Sequence, residues 1–89
     1  MTAPARIDLY SDTHTQPSRA MRDAMANAEV GDEQHGADPT TNRLQEMVAE
    51  LLGKERAMFL PSGTMCNIIA YRVWCQPGDE VVCDKTAHT

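Results

Sequence analysis

Aromatic side chains are scarce in this sequence, whose 89 residues include one tryptophan, two tyrosines and one phenylalanine. So few large apolar side chains make a thin core for a free-standing domain, because a small fold depends on burying such groups. Hydrophobic residues nevertheless make up 42% of the chain and charged residues 24%, which is a globular composition and not a disordered one. We therefore expect at most one small domain or a part of a larger one.

Basic residues are also few, and the sequence has neither long apolar runs nor closely spaced cysteine pairs. The 8 basic and 13 acidic residues give a formal net charge of −5, so no nucleic-acid surface is expected. The apolar runs are far shorter than the roughly 18 residues of a membrane span, and the first residues lack a secretory signal's apolar segment. Three cysteines without C-x-x-C spacing indicate reduced thiols in a cytoplasmic protein, with neither disulfides nor a metal site.

Apolar residues at helical spacing predict three helices. The first covers residues 17–28, because Pro17 suits the first helical position and alanine and methionine follow in one stripe. The second covers residues 41–53 and ends at Gly53, where a glycine commonly stops a helix. A third helix begins near Ser62.

Two short apolar runs predict strands. Residues 57–60 form a run that is typical of a strand buried on both faces, and residues 80–83 follow a turn at 76–79. Strand, helix and strand in this order form a βαβ unit, which is normally parallel and right-handed. Two parallel strands are not a stable sheet alone. The predicted fold class is therefore α/β, with an incomplete parallel sheet and flanking helices, as the amino-terminal piece of a larger protein.

The start of the third helix is the first candidate site. The N–H groups of a helix's first turn are unpaired and carry partial positive charge. Gly63 has no side chain where an anion would approach, and Ser62 and Thr64 add hydroxyl donors, so the segment could hold a phosphate. Serine and threonine are equally favoured as ordinary helix caps. The local sequence leaves both interpretations open.

Three further segments could carry chemistry. The hydroxyl-rich arm at residues 11–15 could bind a carboxylate or a cation, although a solvated arm is the simpler interpretation. His88 follows the second predicted strand, at the sheet edge where ligands bind, and could stack on a flat ring or move protons. A plain surface histidine would look the same. The carboxylates in the loop at residues 31–39 lack calcium-binding spacing, which favours a structured loop.

Several blocks in order resemble one family: Ile7-Asp8-Leu9-x-Ser11-Asp12-Thr13, Met21-Arg22-x-Ala24-Met25, Glu29-Val30-Gly31-Asp32, Gly36-x-Asp38-Pro39-Thr40, Asn42-Arg43-Leu44, Pro61-Ser62-Gly63-Thr64-Met65-x-Asn67, Pro77-Gly78-Asp79-Glu80-Val81 and Ala87-His88. With them the chain resembles the amino terminus of the low-specificity L-threonine (L-allo-threonine) aldolases. These are pyridoxal-phosphate (PLP) enzymes of the aspartate-aminotransferase-like fold, fold type I. The resemblance implies an extended arm at residues 1–16 and a truncated part of the PLP-binding large domain at residues 17–89.

The resemblance also implies a role for each matching residue. Ser62, Gly63 and Thr64 are expected to hold the cofactor phosphate. His88 is expected to stack on the pyridine ring and to help deprotonate the substrate hydroxyl. Ser11 is expected to lie near the substrate carboxylate.

A homotetramer is implied as well, in which the loop at residues 31–39 reaches a neighbouring subunit's active site. His35 stands where many members have a tyrosine, and its imidazole can still donate a hydrogen bond to the cofactor phosphate. Ala37 replaces a usual acidic residue, Tyr10 a usual arginine and His14 a usual valine. These departures bear on substrate range and subunit contacts more than on the cofactor.

The implied activity is the retro-aldol cleavage of L-threonine or L-allo-threonine to glycine and acetaldehyde by a full-length parent. PLP enzymes need a lysine for covalent attachment of the cofactor, and neither Lys54 nor Lys85 matches that position of the family. We therefore expect these 89 residues alone to be inactive. Another fold type I lyase (β-eliminating or related to glycine hydroxymethyltransferase) and a non-catalytic truncated remnant are the alternatives.

Overall fold

The computed structural model describes residues 7–88 and shows helices joined by turns and loops. In chain order these are a 3-10 turn at Asp12–His14, α1 at Arg19–Ala26, a 3-10 turn at Glu33–His35, α2 at Pro39–Leu52 and α3 at Gly63–Trp74. Two compact units divide the chain, one up to Thr40 and one from Thr41, and each is described by itself. The predicted arm at 1–16 and large-domain part at 17–89 include residues 1–6 and Thr89, which lie outside the described residues, and this division stays a prediction.

Ser18 determines where α1 begins. Its Oγ accepts the N–H of Met21 at 3.2 Å, and its own N–H donates to the Met21 Sδ at 3.4 Å. The Ser18 side chain thus bonds the Met21 backbone, and the Met21 side chain bonds the Ser18 backbone. This reciprocal pair makes Ser18 the cap, so the helix starts after it. The expectation that Pro17 occupies the first helical position is therefore wrong, because Pro17 precedes the cap.

Helix α2 begins two residues earlier than predicted, at Pro39. Proline suits the first helical position, because the N–H that it lacks would have no acceptor within the helix. The helix ends as predicted at Gly53, whose φ of +62° is left-handed. The N–H of Gly53 donates to the Glu50 carbonyl at 3.1 Å and that of Lys54 to the Ala49 carbonyl at 2.9 Å. This pair of bonds satisfies carbonyl groups that the helix end leaves open.

The predicted sheet is not confirmed, since the described part of the chain contains no strand. Residues 57–60 and 80–83 have no regular secondary structure. A strand exists only through hydrogen bonds to a neighbouring backbone, so it requires a partner strand as well as a suitable sequence. The N–H of Phe59 donates instead to the side-chain Oε1 of Gln45 on α2, at 2.9 Å. The turn after α3 does form, with the Asp79 N–H donating to the Gln76 carbonyl at 3.0 Å.

Burial is slight throughout the described residues, where Ala49 on α2 is the one buried side chain. The apolar stripe of α2 occurs at the predicted spacing, but Leu51 is 82% exposed and Leu52 62% exposed. Helices with such a stripe normally pack it against a core. The described elements therefore present apolar faces that they do not themselves cover. None of these helices is long and apolar enough to cross a bilayer, within residues 7–88.

Candidate functional site

The start of α3 is formed by three consecutive candidate residues. Ser62 is extended, with φ −149° and ψ 148°, and its Oγ accepts the Met65 N–H at 3.1 Å. Its carbonyl accepts the Cys66 N–H at 3.2 Å, which is the first bond of the helix. The structure thus gives Ser62 the ordinary capping role that the sequence left open.

Capping by Ser62 leaves the first turn of α3 available to a ligand. The N–H groups of Gly63 and Thr64 precede the first intrahelical bond and have no acceptor among the described residues. Gly63 does not have a positive φ, and a Cβ added to it would meet no atom within 4 Å. The glycine is therefore not required by local backbone conformation or packing. What its missing side chain provides is open access to the helix end.

These donors fit a phosphate group. Gly63 and Thr64 are exposed at the positive end of a 12-residue helix, where they supply two unpaired N–H groups and the Thr64 hydroxyl. The Ser62 hydroxyl accepts the Met65 N–H and keeps its own proton to donate. The phosphate of PLP is an anion of the size and charge that such an arrangement holds.

His88 follows a turn that Asp84 organises. The Asp84 carbonyl accepts the Ala87 N–H at 3.0 Å, and its Oδ1 accepts the Thr86 hydroxyl at 2.5 Å and the Thr86 N–H at 2.8 Å. Both bonds lower the pKa of Asp84, and the bond from the Thr86 hydroxyl has the larger effect. His88 is exposed, and the described residues before it contain no strand, so its expected place at a sheet edge is not confirmed. Its catalytic role stays a prediction.

The loop that carries His35 is held together by its own hydrogen bonds. The Asp32 carboxylate lies 2.7 Å from Nδ1 of His35, and the backbone carbonyl of Asp32 accepts the Ala37 N–H at 2.8 Å. Gly36 adopts a left-handed φ of +66°. A Cβ on Gly31 would overlap the Ala37 carbonyl oxygen, so the loop closes only over a glycine. Since Asp32 engages Nδ1, Nε2 is the His35 nitrogen left for a ligand.

Ser11 caps the 3-10 turn of the arm. Its Oγ accepts the Thr13 N–H at 3.2 Å and lies 2.9 Å from the Thr13 Oγ1. Its carbonyl accepts the His14 N–H at 3.1 Å. The hydroxyl predicted to bind a substrate carboxylate therefore belongs to an ordered turn, while its substrate role stays a prediction.

Sequence reasoning missed a contact between residues that flank Ser11 in the chain. Asp8 accepts the Tyr10 N–H at 2.8 Å through one carboxylate oxygen and lies 3.1 Å from Nδ1 of His14 through the other. The rings of Tyr10 and His14 stack with centroids 4.9 Å apart. Both contacts lower the pKa of Asp8, and the bond from the Tyr10 N–H has a larger effect than the His14 imidazole. We call Asp8, Tyr10 and His14 the arm cluster. The sequence showed Tyr10 and His14 only as separate departures from the family pattern.

The candidate residues are described within two separate units. Ser11 and His35 belong to the unit up to Thr40, and the α3 start and His88 to the unit from Thr41. Within the second unit, the three residues of the α3 start are the ones that adjoin each other. No group of three or more histidine, cysteine, aspartate or glutamate side chains among residues 7–88 is arranged to hold a metal ion.

Comparison with known proteins identifies the class. Residues 8–89 match the sequence model of the beta-eliminating lyase family, and the chain belongs to that family. It is 54% identical over 82 residues to the low specificity L-threonine aldolase of Escherichia coli strain K12, covering 92% of this chain and 25% of that protein. It is 54% identical over 83 residues to the probable low-specificity L-threonine aldolase 2 of Arabidopsis thaliana, covering 92% and 23%.

A yeast relative agrees with this. The low specificity L-threonine aldolase of Saccharomyces cerevisiae is 44% identical over 85 residues, covering 94% of this chain and 22% of that protein. The resemblance drawn from the motif blocks is confirmed. The chain spans about a quarter of the length of the curated relatives that it matches. No solved structure matches it significantly.

Proposed function

We propose that this chain is the amino-terminal part of a PLP-dependent L-threonine aldolase, which cleaves L-threonine or L-allo-threonine to glycine and acetaldehyde. The observation that carries the proposal is the 54% identity over 82 residues to low specificity L-threonine aldolases. Residues 17–89 would belong to a fold type I large domain. Segments 57–60 and 80–83, which carry strand-like sequences, would pair there with further strands.

The start of α3 is the proposed phosphate site. The N–H groups of Gly63 and Thr64 are unpaired at the helix terminus, and the hydroxyls of Ser62 and Thr64 add two donors. The positive end of the helix favours the charged phosphate over a neutral group. His35 is proposed to add a hydrogen bond to the same phosphate in a homotetramer, from a neighbouring subunit.

Two groups of this chain, Ser11 and His88, would act on the substrate. PLP, when bound, supplies the electron sink for the pair released as the Cα–Cβ bond breaks. Ser11 would donate its hydroxyl proton in a hydrogen bond to the substrate carboxylate. An imidazole nitrogen of His88 would accept the proton of the substrate hydroxyl. The carbon that carries this hydroxyl then becomes the aldehyde carbon of acetaldehyde. Proton addition at Cα then completes glycine.

The 89 residues alone are proposed to be inactive. Lys54 follows the helix stop at Gly53, and Lys85 lies in the turn before His88. Neither stands at the family position of the lysine that attaches the cofactor. The proposed working form is a cytoplasmic homotetramer that acts on free amino acids.

A second candidate is β-elimination, which the description of the matching family favours. A single assay separates the two reactions. Protein expressed from the complete open reading frame is given L-threonine, and the products are measured. We expect equal amounts of acetaldehyde and glycine. Formation of 2-oxobutanoate and ammonia would establish elimination instead, and no product with either L-threonine or L-allo-threonine would contradict the aldolase. The 89-residue chain is the control, and cleavage by it would overturn the proposal that it is inactive.

A further inference from the structure

The arm cluster includes residues that flank Ser11, the residue proposed to bind the substrate carboxylate. Asp8 and His14 lie on either side of Ser11 in the chain, and their contact at 3.1 Å closes the intervening segment into a loop. The stack of Tyr10 on His14 adds a second contact across the same loop. We propose that His14, held by Asp8 and stacked on Tyr10, is a positioning residue that orients Ser11 for the substrate carboxylate. This inference rests on the proposed function.

The hydrogen bonds of the turn connect His14 to the Ser11 hydroxyl. The His14 N–H donates to the Ser11 carbonyl at 3.1 Å, and the Thr13 N–H donates to the Ser11 Oγ at 3.2 Å. Ser11 thus receives backbone bonds at both of its oxygens, from Thr13 and His14, and its hydroxyl donates to Asp12 Oδ1 at 3.4 Å. A shift of His14 that opens the turn moves the hydroxyl with it. The backbone of Ser11 is extended, at φ −161° and ψ 146°, which directs the chain into this turn.

Charge makes the positioning dependent on pH. The His14 ring bonds to Asp8 and stacks on Tyr10, and Asp12 is the other charged residue of the turn. The Nδ1–H of a neutral imidazole can already donate to Asp8, and an imidazolium donates more strongly. The contact is about half exposed, at 50% for His14 and 48% for Asp8, so water screens it and its effect is moderate. Substrate affinity should therefore be weaker in alkaline solution, where an imidazole is neutral, than in acidic solution, where it is charged.

The test compares variants of the protein from the complete open reading frame. His14→Val removes the donor, the charge and the ring, and we expect KM for L-threonine to rise about tenfold with kcat within about twofold. His14→Asn keeps an N–H donor for Asp8 but carries no charge at any pH, so KM should rise less than about threefold and should depend less on pH than in the wild type. Arg19→Gln is the matched control, because it breaks the exposed Arg19–Asp23 pair at 3.2 Å in the same unit. It should change neither constant.

A spectroscopic measurement gives a readout that does not depend on turnover. In protein with ¹⁵N-labelled histidine, the signal that disappears in His14→Asn belongs to His14. Its neutral form should carry the proton on Nδ1, and Asp8→Leu should move protonation toward Nε2.

Each remaining outcome overturns a defined statement. An active wild type with an unchanged KM in His14→Val overturns the positioning role alone, as does a histidine tautomer unaffected by Asp8→Leu. If His14→Val and His14→Asn both fail to fold, as shown by loss of the helical circular-dichroism signal, His14 has a merely structural role. That outcome would overturn the proposal. A wild type that cleaves no amino acid overturns the proposed function, and the role of His14 falls with it.

Discussion

The Asp32 carboxylate lies 2.7 Å from Nδ1 of His35, within a loop closed over Gly31. A neutral His35 that donates from Nδ1 has only an acceptor at Nε2, so it can donate to a phosphate from Nε2 only as an imidazolium. Imidazolium forms at low pH. We therefore predict that the cofactor affinity of the complete protein is lower in alkaline solution, where an imidazole is neutral, than in acidic solution.

His35→Tyr is the control for this prediction, because a phenol keeps its proton up to about pH 10. The variant also isolates the contribution of the phosphate's own ionisation, which both proteins share. Dissociation constants for PLP would be measured by absorbance between slightly acidic and slightly alkaline pH. Equal pH dependence in the two proteins would show that His35 does not contact the phosphate through Nε2.

Gly63→Ala separates access to the α3 terminus from stability of the helix. Nothing lies within 4 Å of an added Cβ, and the backbone there is not left-handed, so the fold should tolerate alanine. The methyl group would nevertheless stand where a phosphate approaches, and we predict a roughly tenfold loss of PLP affinity with unchanged thermal stability.

Ser62→Ala is the complementary variant for that experiment. It removes the acceptor of the Met65 N–H and should cost about 1 kcal/mol of stability, which Ser62→Thr should largely restore. Cofactor titration and thermal melting of the complete protein measure the two effects. Wild-type PLP affinity in Gly63→Ala would remove the α3 terminus from the proposed phosphate site.

The turn before His88 should be sensitive to acid. The Thr86 hydroxyl and N–H lower the pKa of Asp84 by bonding to its ionised form. A lowered carboxyl pKa contributes stability that is present above the unfolded pKa and is lost as pH falls through the folded pKa. We predict that the Thr86 bonds to Asp84 are lost only below the usual aspartate titration range.

A carbon-13 NMR titration of the aspartate carboxyl groups measures this pKa. Thr86→Ala removes the hydroxyl but keeps the N–H, so the pKa of Asp84 should move part of the way back to its usual range. The pKa of Asp8 serves as the internal control and should not change, since Thr86 is not among the groups that lower it. An Asp84 pKa unaffected by Thr86→Ala would contradict the assigned cause.

The helices could be predicted because their signals are local. Gly53 and Ser62 mark the end of α2 and the start of α3, and each acts through hydrogen bonds to residues within five positions. The sequence misplaces the start of α1 because Pro17 and Ser18 are both good initiators, and the capping bonds of Ser18 decide between them. Strands depend on partners elsewhere in the chain, so an apolar run such as residues 57–60 cannot establish one.

The candidate site also has features that the local sequence predicts and contacts that it does not. The open N–H groups at Gly63 and Thr64 follow from the helix start, so the sequence suffices to locate them. The contacts of His14 with Asp8 and of His35 with Asp32 depend on how short turns fold back, and residue spacing did not reveal them. Sequence resemblance assigned a role to His35 but could not show which of its nitrogens is engaged.

The apolar surface of the described residues leads to a prediction about folding. Trp74 is 84% exposed and Val82 98% exposed, while Ala49 is the one buried residue within 7–88. Cooperative unfolding requires many side chains that lose their burial together, and these elements bury almost none. We predict that the 89-residue chain alone melts over a broad temperature range by circular dichroism and binds a hydrophobic dye. Protein from the complete open reading frame is the control and should melt sharply without dye binding. A sharp transition of the 89-residue chain, independent of its concentration, would show that its apolar faces pack against each other and not against further protein.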